Sequence, residues 1–171
     1  GTFTLDEGST LTPGGTFTQN GAGANVIGDD ITGGAGLSFL RAVTLTSGTA
    51  NDIIVFTSGG GAGQDITFSS TLDNADNESV TLNAGAAGDI TVTGAVGDLV
   101  TGDIVVTNAA DVTFSSTVDA DNFTQSAGTG TTTFSALIDL ATAFAFTGQN
   151  LTITGAGAKD RKSTRLNSSH Q

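Results

Sequence analysis

DITFSSTLD, Asp65 to Asp73, returns 46 residues later as DVTFSSTVD, Asp111 to Asp119. Seven of the nine letters are unchanged, and the two that differ, Ile66 to Val112 and Leu72 to Val118, keep an apolar branched side chain in place. Internal repetition at a fixed period marks a solenoid or array, in which one unit cannot bury its own apolar face and its neighbours bury it instead. Within the unit the letters alternate. Ile66, Phe68 and Leu72 fall on one side; Asp65, Thr67, Thr71 and Asp73 fall on the other. That spacing predicts a half-buried strand. Burying each such apolar side chain is worth about 1.5 to 3 kcal/mol, so stacked copies have a driving force that a lone strand lacks.

Outward from this stretch, strand starts from Ile31 onward sort into two ladders. One runs Val43, Ile66, Ile90, Val112 and Thr133; the other runs Ile31, Ile54, Val80, Ile104, Phe123 and Phe144. Their common step is about 23 residues, half the 46-residue repeat. A coil of that length with two or three short strands is what a right-handed parallel β-solenoid needs. Glycine clusters at 33–36, 59–63, 85–88 and 128–130 supply corners where positive φ is easiest. Near the start, Thr2 to Leu5 and Thr16 to Gln19 read as short strands around a turn at Pro13, Gly14 and Gly15. At roughly 4.8 Å between adjacent strands, about seven coils make a rod about 30 to 35 Å long. The competing all-β reading is an antiparallel β-sandwich. Sandwiches do not repeat internally at this period, so the solenoid is the expected fold.

Composition supports a polar-surfaced β protein. The 171 residues include 25 Gly, 1 Pro and 10 Phe, with no Cys, Met, Trp or Tyr. Hydrophobic content is 37%, but it is patterned in short alternating runs, which argues against disorder. Formal net charge is -12, and residues 1–159 hold Arg41 and Lys159 as their only bases. Phosphate backbones would be repelled, which sets nucleic acid aside as a partner. An acidic surface free of cysteine fits a secreted protein that relies on hydration. No apolar run approaches the 18 residues or so of a transmembrane span. The absence of methionine suggests an internal fragment of a larger repeat protein, whose neighbouring repeats continue the stack.

Residues 160–171 depart from the pattern. DRKSTRLNSSH, Asp160 to His170, crowds bases into a chain that otherwise avoids them, and it resembles one reading frame of a common sequencing adapter. We therefore expect a solenoid over residues 1–159 and a non-native, disordered tail over 160–171, such as arises at the end of an environmental DNA fragment.

The repeats DITFSSTLD and DVTFSSTVD, with SVTLNAG at Ser79 to Gly85, DITVTGAVG at Asp89 to Gly97 and NFTQSAGTGTTTF at Asn122 to Phe134, resemble the β-strand repeats of very large bacterial surface proteins. They are similar to those of filamentous-haemagglutinin-type adhesins and autotransporter passengers. The resemblance spans about Thr2 to Gly157 and rests on composition and period. It implies a non-catalytic stalk or adhesive segment on the bacterial cell surface or outside the cell, facing host-cell, glycan or biofilm surfaces.

Candidate chemistry is sparse. Asp73, Asp76 and Glu78 in LDNADNES, and Asp119 and Asp121 in VDADN, gather carboxylates at equivalent places of the repeat. Hard cations want several oxygen ligands, which makes these five the candidate calcium ligands; solvated corner acids are the plainer reading. GGAGQDITF, Gly60 to Phe68, begins like a calcium β-roll nonapeptide, but its large apolar residue is out of register by one and no tandem copy follows. A glycine corner accounts for it. Asp29 and Asp30, near Asn25, resemble the paired acids of β-helix polysaccharide hydrolases, so a carbohydrate-active β-helix is the alternative function. Two adjacent acids in a Gly-rich segment are more often a turn. The single histidine, His170, lies in the tail, so neither a nucleophile pair nor a typical zinc site can be assembled. Arg41 is expected to pair with a neighbouring acid. Asn77, Asn122 and Asn150 begin Asn-x-Ser/Thr triplets of a kind common by chance in such sequence.

Overall fold

The computed structural model describes residues 1–49, 51–97 and 102–155, together with the backbone of 159 and 160. The ribbon winds through seven turns of about 22 residues, with no helix among the described residues. Every strand pairing is parallel. The rod is therefore a parallel β-solenoid, and the sandwich alternative is excluded.

Each turn contributes to three sheets. The first is built from Phe3–Leu5, Asn25–Ile27, Val43–Leu45 and Leu72–Asn74, and it continues through bridges of Val96 to Leu72 and Val118. The second stacks Ile31–Thr32, Ile53–Thr57, Ser79–Asn83 and Ile104–Asn108 under the later halves of Val118–Gln125 and Ile138–Phe146. The third stacks Phe17–Gln19, Leu37–Phe39, Ile66–Phe68, Ile90–Val92, Val112–Phe114, Thr131–Phe134 and Asn150–Ile153. Val118–Gln125 and Ile138–Phe146 run through the first and second sheets, bending at a register shift between Ala120 and Asn122.

The strands are short because three residues of alternating pattern fill one side of a narrow rod. Ile66, Ile90 and Val112 lie directly over one another, as do Phe68, Val92 and Phe114, all buried; Thr67, Thr91 and Thr113 between them face outward. The core is one continuous cluster from Leu5 to Leu140. Aromatic rings stack along it in two blocks. In the first, Phe39 lies 5.2 Å from Phe68 at an interplanar angle of 7°, with Phe56 edge-on to both. In the second, Phe114 lies 5.1 Å from Phe134 at 5°, with Phe123 edge-on to both. Such pairs contribute about 0.5 to 1.5 kcal/mol each beyond their buried area.

Three details differ from the sequence reading. First, the repeated nonapeptide is two strands, with Ile66–Phe68 in the third sheet and Leu72–Asn74 in the first. The chain turns at Ser69 and Ser70, whose small polar side chains suit a corner. Second, the two ladders are three. Val43 stands below Leu72 in the first sheet, and the true predecessor of Ile66 is Leu37. Third, two registers shift. Val112 pairs with Thr132, whose hydroxyl is buried and bonded to Gln125 at 2.6 Å, so Thr133 faces outward. Ile31 pairs with Phe56, because the strand Ile53–Thr57 starts before its short neighbour does. The expected boundary at Asp160 falls in a two-residue strand, Lys159–Asp160, that pairs with Asp139 and Leu140. The remainder of the expected tail lies outside the described residues.

Corners absorb the variation in turn length. The third-sheet step is 29 residues from Leu37 to Ile66 but 19 from Thr132 to Leu151. Glycine is required where backbones of successive turns touch. A Cβ on Gly34 would lie 2.5 Å from the carbonyl oxygen of Gly14, and one on Gly85, at φ 71°, would lie 2.6 Å from the Cα of Gly60. Gly63 shares the left-handed backbone, at φ 72°, but faces open space. Both Gly85→Ala and Gly63→Ala should therefore bear a left-handed cost of about 1 to 2 kcal/mol. Gly85→Ala should lose about 1 to 3 kcal/mol more through the clash, read as the difference between their urea unfolding midpoints.

Candidate functional site

The acidic side chains cap the backbone. At the entry to the third sheet, Asp65, Asp89 and Asp111 lie one turn apart. The carboxylate of Asp65 accepts the N–H of Asp89 at 2.9 Å, that of Asp89 accepts the N–H of Asp111 at 3.0 Å, and that of Asp111 accepts the N–H of Thr131 at 2.6 Å. Each acid thus ties its own turn to the next. Elsewhere Asp52 caps Ile53, and Glu7 accepts the N–H of Gly48 at 2.8 Å. Carboxylate acceptors for backbone N–H groups are charge-assisted and stronger than neutral ones. The sequence reading did not single out the Asp65, Asp89 and Asp111 series; its signal is an Asp immediately before each Ile-Thr or Val-Thr pair.

The five candidate calcium ligands are spread over the corner between the first and second sheets. Glu78 is buried, with one carboxylate oxygen accepting the N–H of Ser47 and the other that of Asp76, each at 2.9 Å. Asp73 accepts the N–H of Asn74 at 3.0 Å. Asp76 is exposed in the loop, Asp119 faces outward on a first-sheet strand, and Asp121 sits at the bend toward the second sheet. A hollow of about 20 Å³, room for about one water, opens between Asp73, Asn74, Glu78, Gly102, Asp103 and Asp119. Asn74 donates to the carbonyl of Glu78 at 2.7 Å, while its buried Oδ1 has no protein partner. Among the described residues no three acidic or histidine side chains converge in a way that could hold a metal.

Asp29 and Asp30 form a turn. Asp29 accepts the N–H of Asp30 at 2.7 Å, and Asp30 accepts that of Val55 at 2.8 Å, covering the stretch where Ile53–Thr57 overhangs its shorter neighbour. Asn25 is fully buried and donates to the carbonyls of Arg41 and Ala42, each at 3.2 Å. The Gly60 to Phe68 segment is a corner followed by a third-sheet strand. Arg41 is exposed at the next corner and makes no ion pair among the described residues, contrary to the expected acid partner.

No protein-family model, curated protein or solved structure matches the chain.

The surface regularity of the rod lies on the third sheet. Its outward central positions are Thr18, Ser38, Thr67, Thr91, Thr113, Thr133 and Thr152, a hydroxyl in every turn and in strict register. The sequence shows this row only as the Ser or Thr at the centre of short triplets such as LSF, ITF, ITV and VTF.

Two outcomes test the corner at Glu78. Glu78→Ala leaves the N–H groups of Ser47 and Asp76 without their acceptor and should cost about 1 to 3 kcal/mol for each group left unsatisfied, with Glu78→Gln retaining part of the loss. Millimolar calcium should leave the thermal midpoint unchanged; a rise that disappears in Asp119→Asn/Asp121→Asn would instead establish a cation site there.

Proposed function

We propose that this chain is a structural segment of a larger secreted or surface-anchored bacterial protein, serving as a stalk with an adhesive flank and performing no catalysis. The observation that carries this reading is a buried core continuous from Leu5 to Leu140, built by in-register stacking of like positions turn after turn, such as Ile66, Ile90 and Val112. The resemblance of its repeats, in composition and period, to adhesin and autotransporter repeats supports the same role. The enzymatic alternative finds no support at Asp29 and Asp30, because both carboxylates are engaged in the turn.

The test lies in the parent protein and its cell. Flanking gene sequence should encode further Gly-bounded apolar-Thr-apolar coils, and antibodies to this segment should label intact cells and lose the label on mild protease shaving. Purified parent protein in electron micrographs should be a rod lengthening by about 4.8 Å for each added turn. Labelling only after cell lysis, or release of sugars from polysaccharides by the purified segment, would overturn the proposal.

A further inference from the structure

Asn20 is the only asparagine of the sequence that is followed by glycine. An asparagine amide is thermolabile, because the backbone nitrogen of the next residue can attack the side-chain carbonyl carbon. A glycine at that next position has no Cβ to shield the nitrogen, and its backbone turns freely into the geometry of ring closure. The dipeptide reacts, however, only where the fold leaves both partners free.

The first corner of the rod leaves them free. The third-sheet ladder ends at the Gln19 carbonyl, which accepts the N–H of Leu40 at 3.0 Å, and the next anchor is the Ala24 carbonyl, which accepts that of Phe3 at 3.2 Å. Between these anchors residues 20–23 make no backbone bond among the described residues. Asn20 is exposed, and neither its side chain nor the Gly21 N–H has a hydrogen-bond partner among the described residues. A segment so lightly tied opens at small cost.

Other asparagines are held. Asn25 is buried and donates to two carbonyls, Asn83 accepts the N–H of Gly85 at 3.1 Å, and Asn122 donates to the Asp103 carboxylate at 2.7 Å. Asn51 and Asn150 are as exposed as Asn20, but Asp52 and Leu151 follow them and crowd the attacking nitrogen.

We propose that Asn20 is a site of spontaneous covalent modification, converting to aspartate and isoaspartate through a cyclic imide with Gly21. The Gly21 nitrogen gives up its proton to solvent and bonds Cγ of Asn20; the Cγ–Nδ2 bond breaks, and the amide nitrogen leaves as ammonia with protons from water. Water then opens the imide. Cleavage between Cγ and the Gly21 nitrogen leaves aspartate on a normal backbone, whereas cleavage at the backbone carbonyl routes the chain through Cβ and Cγ as isoaspartate. Either product adds one negative charge to a chain whose net charge is -12. The isoaspartate form also lengthens the backbone at a corner where Gly23 packs on the backbone of Gly1 with no room for a Cβ. It should therefore loosen the bond between Ala24 and Phe3. None of this depends on the stalk role.

The test is incubation of the folded full chain in mildly alkaline buffer, followed by peptide mass mapping with isoaspartate detection. Asn20 should show the mass gain of an amide becoming an acid, faster as the buffer is made more alkaline. Asn51 and Asn150 serve as internal controls and should convert about tenfold more slowly, a barrier higher by about 1.4 kcal/mol. Gly21→Ala should slow Asn20 to the same degree. Its added methyl meets Nε2 of Gln19 at 3.1 Å, the end of a flexible side chain, and Gly21 is outside the left-handed region, so the fold should hold. Circular dichroism checks this, and Asn20→Gln, whose longer side chain closes a ring more slowly, replaces the variant if it unfolds. In the isoaspartate fraction the amide of Phe3 should exchange its hydrogen faster than in fresh protein. Asn20 still intact when Asn51 or Asn150 has converted would overturn the proposal, as would Gly21→Ala converting at the unaltered rate.

Discussion

In-register parallel pairing governs this molecule. Because each strand bonds its copy one turn on, whatever a turn places at a position is set about 4.8 Å from the same position in the next. Inward, this rewards apolar residues, since the side chains of one turn form the wall against which the next is buried. Phe39 over Phe68 and Phe114 over Phe134 are the clearest cases. Outward, it penalises like charges standing in a column, and hydroxyls become the natural occupants of the flat faces.

The acidic composition follows from the same constraint. Turns differ in length, and wherever one strand overhangs another or a corner widens, backbone N–H groups lose their ladder partners. Carboxylates supply the acceptors. Asp30 does so for Val55, Asp111 for Thr131, and the buried Glu78 for Ser47 and Asp76 at once. A column of acids such as Asp65, Asp89 and Asp111 is tolerable because each carboxylate is held by an N–H of the following turn. Among the acids that suggested cation ligands or an acid–base pair in the sequence, Glu78 and Asp30 are, in the fold, joints between turns.

The nonapeptide repeat made the architecture and the step legible, because identical letters at Asp65 and Asp111 had to occupy equivalent places two turns apart. The three-sheet cross-section was not legible. Phe68 and Leu72 keep their alternation across the Ser69–Ser70 corner, so a bent ribbon and a straight strand spell the same pattern. Among the described residues the first sheet is also thin in places, held in one turn by single bridges of Val96 to Leu72 and Val118, which leaves little period to detect. Thr132 hid its inward role for a simpler reason. In a run of three threonines nothing distinguishes the buried one until its bond to Gln125 is seen.

The two blocks of stacked rings do not meet. Between Phe68 and Phe114 the third sheet places Val92, and between Phe56 and the later turns the second places Leu82 and Val106. Inside the mid-rod core the contacts are aliphatic, lacking the ring-on-ring attraction that braces both halves, while the backbone ladders and the Asp65–Asp89–Asp111 bonds run through it unbroken. The waist of the column therefore forgoes about 0.5 to 1.5 kcal/mol for each ring pair that the turns on either side possess.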